Sequence, residues 1–172
     1  MRSFGQGSRL GVLAIFAVSF LICAVKGEDP GLSGIGTLGV RLLYGTDGDP
    51  ALAGSEAKPL SEAHLKMVEG QPRMKFQHFR SLGTDQQKIL RAYENWAAPL
   101  KPSKEILISF EPRHRPAGDK IQLNLEYWQG GRKMLSTDPV LTKGRPLYLM
   151  GPKWREGRLI LEVTVIELLP RR

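Results

Sequence analysis

Glu126 and Glu162 each stand on the polar phase of an alternating strand, within Leu123-Asn124-Leu125-Glu126-Tyr127 and Leu161-Glu162-Val163. Two acids a few ångströms apart can divide acid and base work on a glycosidic bond, so their convergence across a sheet would make a hydrolase. The plainer role for a strand charge is to keep an exposed edge soluble. A second group is cationic: Arg113-His114-Arg115, Arg132-Lys133, Lys143, Arg145, and Lys153, Trp154, Arg155 and Arg158 within GPKWREGRLI. Gathered at hairpin tips, these residues would form a basic rim with Trp154 and Trp128, suited to an anionic polymer or lipid headgroups. Alternatively Trp154 folds back over its own hairpin and buries area there.

Other catalytic chemistry is missing. The chain has one cysteine, Cys23, and three histidines, with no Gly-x-Ser-x-Gly elbow and no His-Glu-x-x-His pair, so nucleophile, thiol and zinc-hydrolase classes are disfavoured. Asp47 and Asp49 suggest a calcium loop, but Ala51, Leu52 and Lys58 occupy the positions that need an oxygen ligand, a glycine and a glutamate. Gly34-Ile35-Gly36-Thr37-Leu38-Gly39 fits GxGxxG, yet a strand-like run follows where a dinucleotide site needs a helix. His64 has no His, Cys or acid at a matched i+4 position and is expected to be a surface or packing residue. No cofactor and no metal are expected.

The charges are unevenly placed. Over residues 28–112 there are 10 basic and 11 acidic side chains, whereas residues 113–172 carry 12 and 6. The basic balance therefore belongs to the last third, which favours anionic partners.

Residues 1–27 read as a signal peptide or an N-terminal membrane anchor, with Arg2 and Arg9 preceding the uncharged apolar run Leu10 to Val25 and a cleavage site after Gly27. The positive-inside bias sends the remainder out of the cytoplasm, into a periplasmic or secreted setting. Cys23 lies inside that run behind the bulky Ile22, against lipidation. Membrane contact is expected only through residues 10–25, if the leader is retained.

The elements that position the candidate groups follow from periodicity. Residues 28–36 read as a glycine-rich linker and 37–169 as one β-rich domain of ordinary globular composition. Val40 to Tyr44 is strand-like. Ser61 caps a short helix over 61–69, with Glu62 at its positive end, Leu60 and Leu65 as a staple and Gly70 as its end. From Arg73, Met74 and Phe76 alternate with Lys75 and Gln77, predicting a half-buried strand with His78 at its edge. Residues 84–98 fit a helical stripe or a strand, and the β-rich neighbourhood favours the strand. Alternation is clearest at Ile106 to Glu111, Ile121 to Trp128 and Leu159 to Ile166, with Gly130-Gly131 as a two-residue turn into Arg132 to Ser136 and a short strand at Leu147 to Met150. Such strands predict a mainly β (α+β) fold, an antiparallel β-sandwich or open barrel with one short helix.

The segments Tyr44-Gly45-Thr46-Asp47, Phe76-Gln77-His78-Phe79-Arg80-Ser81-Leu82-Gly83, Tyr93-Glu94-Asn95-Trp96 and the Gly151-Pro152-Lys153-Trp154 tip together resemble small exported bacterial β-rich proteins of unassigned function. The resemblance implies an envelope setting and a β-sandwich; it implies no activity. The expectation is a non-catalytic exported domain serving cell-envelope assembly or protein interaction, with an envelope protein as partner. A binder of anionic glycan or lipid through the basic rim is the alternative, and a carboxylate-pair hydrolase the third. Nucleic acid is not expected as a partner of an exported chain.

Overall fold

The computed structural model describes residues 29–169; the expected leader, with Cys23 and the apolar run, lies outside them. Strands take 55% of the described residues and helical turns 11%. The strands form two antiparallel sheets that do not close into a barrel.

The first sheet is ordered β2-β3-β1-β10-β9, from β1 (Gly34–Thr46), β2 (Lys58–Pro59), β3 (His78–Leu90), β9 (Leu147–Trp154) and β10 (Gly157–Leu168). The second is ordered β4-β5-β6-β7, from β4 (Asn95–Ala97), β5 (Ile106–Pro112), β6 (Lys120–Gln129) and β7 (Arg132–Thr137). A short β8 (Val140–Thr142) pairs with the start of β6, along the same margin as β7.

Alternation makes each strand two-sided, and the apolar sides meet. Leu38, Val40, Leu42, Leu161, Val163 and Val165 of the first sheet face Ile106, Ile108, Phe110, Leu123 and Leu125 of the second in one buried cluster. One margin of this sandwich is sealed by the segment after β4. There Asp85 on β3 accepts hydrogen bonds from the Ala98 amide (2.8 Å) and from Lys101 Nζ (2.6 Å). On the opposite margin β7 and β9 are both edge strands, and no ladder joins them.

The single α-helix among the described residues, α1 (Glu62–Glu69), is capped as expected by Ser61, whose hydroxyl accepts from the His64 amide. It lies on the outward face of the first sheet, where Val68 packs with Leu43, Ile160, Phe79 and Met74 in a second, smaller core. No described helix is long and apolar enough to cross a membrane.

Three local expectations need correction. Residues 73–77 are not a strand: Met74 and Phe76 alternate because both turn into the core beneath α1, and the ladder begins only at His78, which is exposed. The expected linker is shorter than 28–36, since β1 starts at Gly34 and carries the whole GxGxxG match inside a strand. The strand predicted over Leu147 to Met150 runs on to Trp154, so GPKW is edge strand, and the turn is Arg155-Glu156. Residues 84–90 are extended, as favoured above, and the chain turns before β4. Gly130 and Gly131, at φ 54° and 74°, supply the left-handed pair that a two-residue hairpin requires.

Candidate functional site

A polar row crosses the outward face of the first sheet beside α1. In register, Thr84 on β3 stands opposite Arg41 on β1, Arg41 opposite Glu162 on β10, and Glu162 opposite Tyr148 on β9. Opposed residues in antiparallel strands share a face with Cβ atoms about 5 Å apart, so these four side chains are neighbours by construction. Into this row α1 inserts His64, four residues before Val68 and on the same side of the helix.

The hydrogen bonds define the tautomer of His64. Arg41 Nη1 lies 2.9 Å from Nδ1, and Nε2 lies 2.6 Å from Oε2 of Glu162. A guanidinium can only donate, so Nδ1 carries the lone pair and Nε2–H donates to the carboxylate. The imidazole is thereby a neutral spacer between a cation and an anion that would otherwise meet directly. His64 and Glu162 are 7% and 8% exposed, and this mutual pairing satisfies groups whose unpaired burial would be costly. The Tyr148 hydroxyl is also buried, with no hydrogen-bond partner among the described residues. Burial, then repulsion from Glu162, pushes it up to about 12, Arg41 opposing.

Next to Arg41 the sheet opens into a concavity of about 260 Å³, whose lining includes Arg41, Thr84, Gln86, Thr164, Ile166 and two acids, Glu162 and Asp85. Gly39 forms its floor, flanked in register by Gln86 and Thr164. A Cβ at Gly39 would come 2.9 Å from Ile166 Cδ1.

The second candidate feature is the open margin. Between β7 and β9 lies an apolar cleft of about 190 Å³, lined chiefly by Tyr127, Met134, Leu135, Leu149, Met150 and Pro152. It adjoins a hollow of about 360 Å³ to which Arg73 and Tyr148 contribute. Met134, Leu135 and Met150 are 51%, 38% and 36% exposed, an unusual density of large apolar groups beside two unpaired strand edges.

The expected site residues are scattered and mostly engaged. Glu126 and Glu162 do not converge: they stand on the outward faces of different sheets, with the main core between them. Glu126 accepts instead from Lys133 Nζ (2.6 Å) and Trp128 Nε1 (2.9 Å), and the Lys133 hydrogen bond, with lesser help from Trp128 and against some burial, holds its carboxyl below the usual range. Lys133 also lies over the Trp128 ring.

The cationic rim divides by topology. Arg132 and Lys133 follow the Gln129 end of β6, whereas Arg113 and Arg115 follow β5 at the other end of the same pair of strands. Arg113 is paired with Asp138 at 2.8 Å. Trp154 packs edge-on against the buried Tyr44 ring at 5.4 Å, the folded-back arrangement. Arg155 donates to the Leu52 carbonyl and lies 4.3 Å over the Trp154 ring. Its backbone takes φ 53°, the left-handed conformation of the tight turn between β9 and β10, costly for a residue that carries a Cβ. Arg158 donates to the Gly151 carbonyl at 3.3 Å. Lys153, Arg115 and Arg132 are exposed and make no side-chain hydrogen bond or ion pair among the described residues.

Sequence reasoning missed the Arg41–His64–Glu162 row because its members are 23 and 98 residues apart. The one available signal was an acid and an arginine each sitting on the polar phase of a core strand. Among the described residues no group of three or more His, Cys, Asp or Glu side chains is placed to hold a metal ion. No protein-family model matches the chain, and no curated protein and no solved structure matches it.

Proposed function

We propose that this chain is a non-catalytic interaction module of the cell envelope, which grips an extended apolar segment of another envelope protein in the cleft between β7 and β9. The observation that carries the reading is the asymmetry of the two margins. One is sealed by Asp85 and the chain after β4; the other leaves two unpaired strand edges facing an apolar cleft. An added strand would satisfy free backbone groups on an edge and place alternate side chains in the cleft. Pro152 has no N–H to offer on β9, so Leu147 to Met150 is the length of that edge suited to pairing. Arg73, Arg132 and Lys153 lie along this margin or next to it in the chain and favour acidic residues flanking the apolar segment.

Export rests on the charge and apolar pattern of residues 1–27. The scarcity of unengaged cations at the GPKWREGRLI tip puts an anionic polymer second, because Arg155 and Arg158 already donate to carbonyls.

A photo-crosslinking side chain at Leu135 or Met150, in native cells, should give a discrete adduct with one envelope protein. The same group at Trp96, on the outward face of the second sheet, should give none. Recovery of only free monomer from the Leu135 and Met150 positions would sink the proposal.

A further inference from the structure

We propose that the concavity floored by Gly39 is a binding site for a small monocarboxylate, held by Arg41. This site is separate from the β7–β9 cleft and does not depend on what occupies it.

Arg41 and Glu162 are direct cross-strand partners, and such an arginine and glutamate ordinarily close a two-pronged ion pair. Here His64 stands between them and takes one guanidinium N–H on Nδ1 and the carboxylate on Nε2. No ion pair joins Arg41 to a carboxylate among the described residues, and apart from the bond to His64 its N–H groups make no side-chain hydrogen bond there. A guanidinium has five donors in a planar fork. One is spent on orienting it, which leaves a charged, positioned donor set lining a concavity.

The shape and the rest of the lining set the class of ligand. With no side chain at Gly39, backbone and the Ile166 side chain beside it form the floor, and the 260 Å³ of space exceeds the roughly 30 Å³ share of one water several-fold, enough for a small organic acid. Two oxygens in a plane match the fork, while the Thr84 and Thr164 hydroxyls and the Gln86 amide can bond a second polar group such as a hydroxyl. Glu162 and Asp85 both line the same concavity; Asp85 is paired with Lys101, and the Glu162 charge selects against a phosphate dianion in favour of a single negative charge.

The test is a chemical-shift titration of the full chain with lactate, inorganic phosphate and methyl lactate, followed at the Arg41 Nε–H and the Thr164 amide. Lactate should produce saturable shifts, phosphate weaker ones, and the uncharged ester none. Arg41→Gln should weaken lactate binding about tenfold or more, since it removes charge-assisted hydrogen bonds. Gly39→Ala keeps Arg41 and sets a methyl group 2.9 Å from Ile166 Cδ1 and 3.3 Å from its Cγ1, so it should push Ile166 into the concavity and weaken binding while the amide spectrum stays native. The absence of saturable lactate shifts in the unaltered chain, an equal response to the ester or to phosphate, or lactate binding unchanged by Gly39→Ala would each overturn the assignment.

Discussion

Glu126 and Glu162 have nearly the same sequence setting and opposite fates. Each is an outward-facing glutamate in the middle of a strand that supplies core residues from its other side. On the second sheet Glu126 is served by a lysine and an indole from its own sheet. On the first sheet α1 comes down beside Glu162, and His64 caps it. The difference is the cover. Alternation assigns a residue to a face, but whether that face meets solvent depends on a helix whose apolar side, Val68 above all, finds Leu43 and Ile160. The same covering changes a solvated charge into a member of a buried network.

The largest expected effect comes from lifting the cover. Val68→Asp places an unpaired charge in the core beneath α1, which costs on the order of 3–5 kcal/mol. Hydrogen exchange should show α1 losing protection first, with β5 and β6 still slow, because the second core is separate from the main one. Equal loss of protection in both regions would show that the helix is not an independent cover.

A smaller effect separates the two glutamates directly. Glu162→Ala leaves the buried His64 Nε2–H without its partner, a loss of about 2 kcal/mol in urea unfolding. Combined with His64→Ala the losses should be clearly non-additive, since the two groups share one short hydrogen bond. The matching cycle for Glu126 and Lys133 should give a weaker coupling that shrinks as salt is raised, because the lysine is 45% exposed. Couplings of equal size and equal salt dependence would erase the contrast.

How far the sequence reached follows the same division. The phases of β5, β6 and β10, the cap at Ser61 and the turn at Gly130-Gly131 depend on neighbours within a few residues, and all are legible. The period of two at Met74 and Phe76 misled because two apolar residues can point the same way without any ladder. Local sequence makes His64 a surface or packing residue, since nothing ligand-like stands a turn away. Its partners come from β1 and β10, and only the strand order brings them together. The β7–β9 margin was invisible for the same reason: edge strands are a property of the order of strands, and Met134, Leu135 and Met150 read locally as ordinary strand residues.

The smallest effect concerns pH, and it asks whether a carboxylate held by a half-exposed lysine behaves like one tied into the backbone. Burial raises the Asp85 carboxyl, but hydrogen bonds from Lys101, Ala98, Gln87 and Gln86 outweigh it and leave the group below its ordinary value. A carboxyl lowered in the folded state adds stability that is fully present above its unfolded pKa, near 3.9 for Asp and about 4.3 for Glu. That stability disappears as pH falls through the lower folded value. Both Asp85 and Glu126 therefore steepen the acid limb of the stability curve. Asp85→Asn should flatten that limb at any ionic strength, because its partners include two backbone amides and a buried geometry. Glu126→Gln should flatten it less, and only in low salt, since its main partner is a single lysine. Urea titrations from neutral pH down to about pH 3, which brackets those unfolded values, distinguish the two. A Glu126 contribution that survives high salt would mean that the open face of the second sheet holds its carboxylate as firmly as the backbone amides hold Asp85.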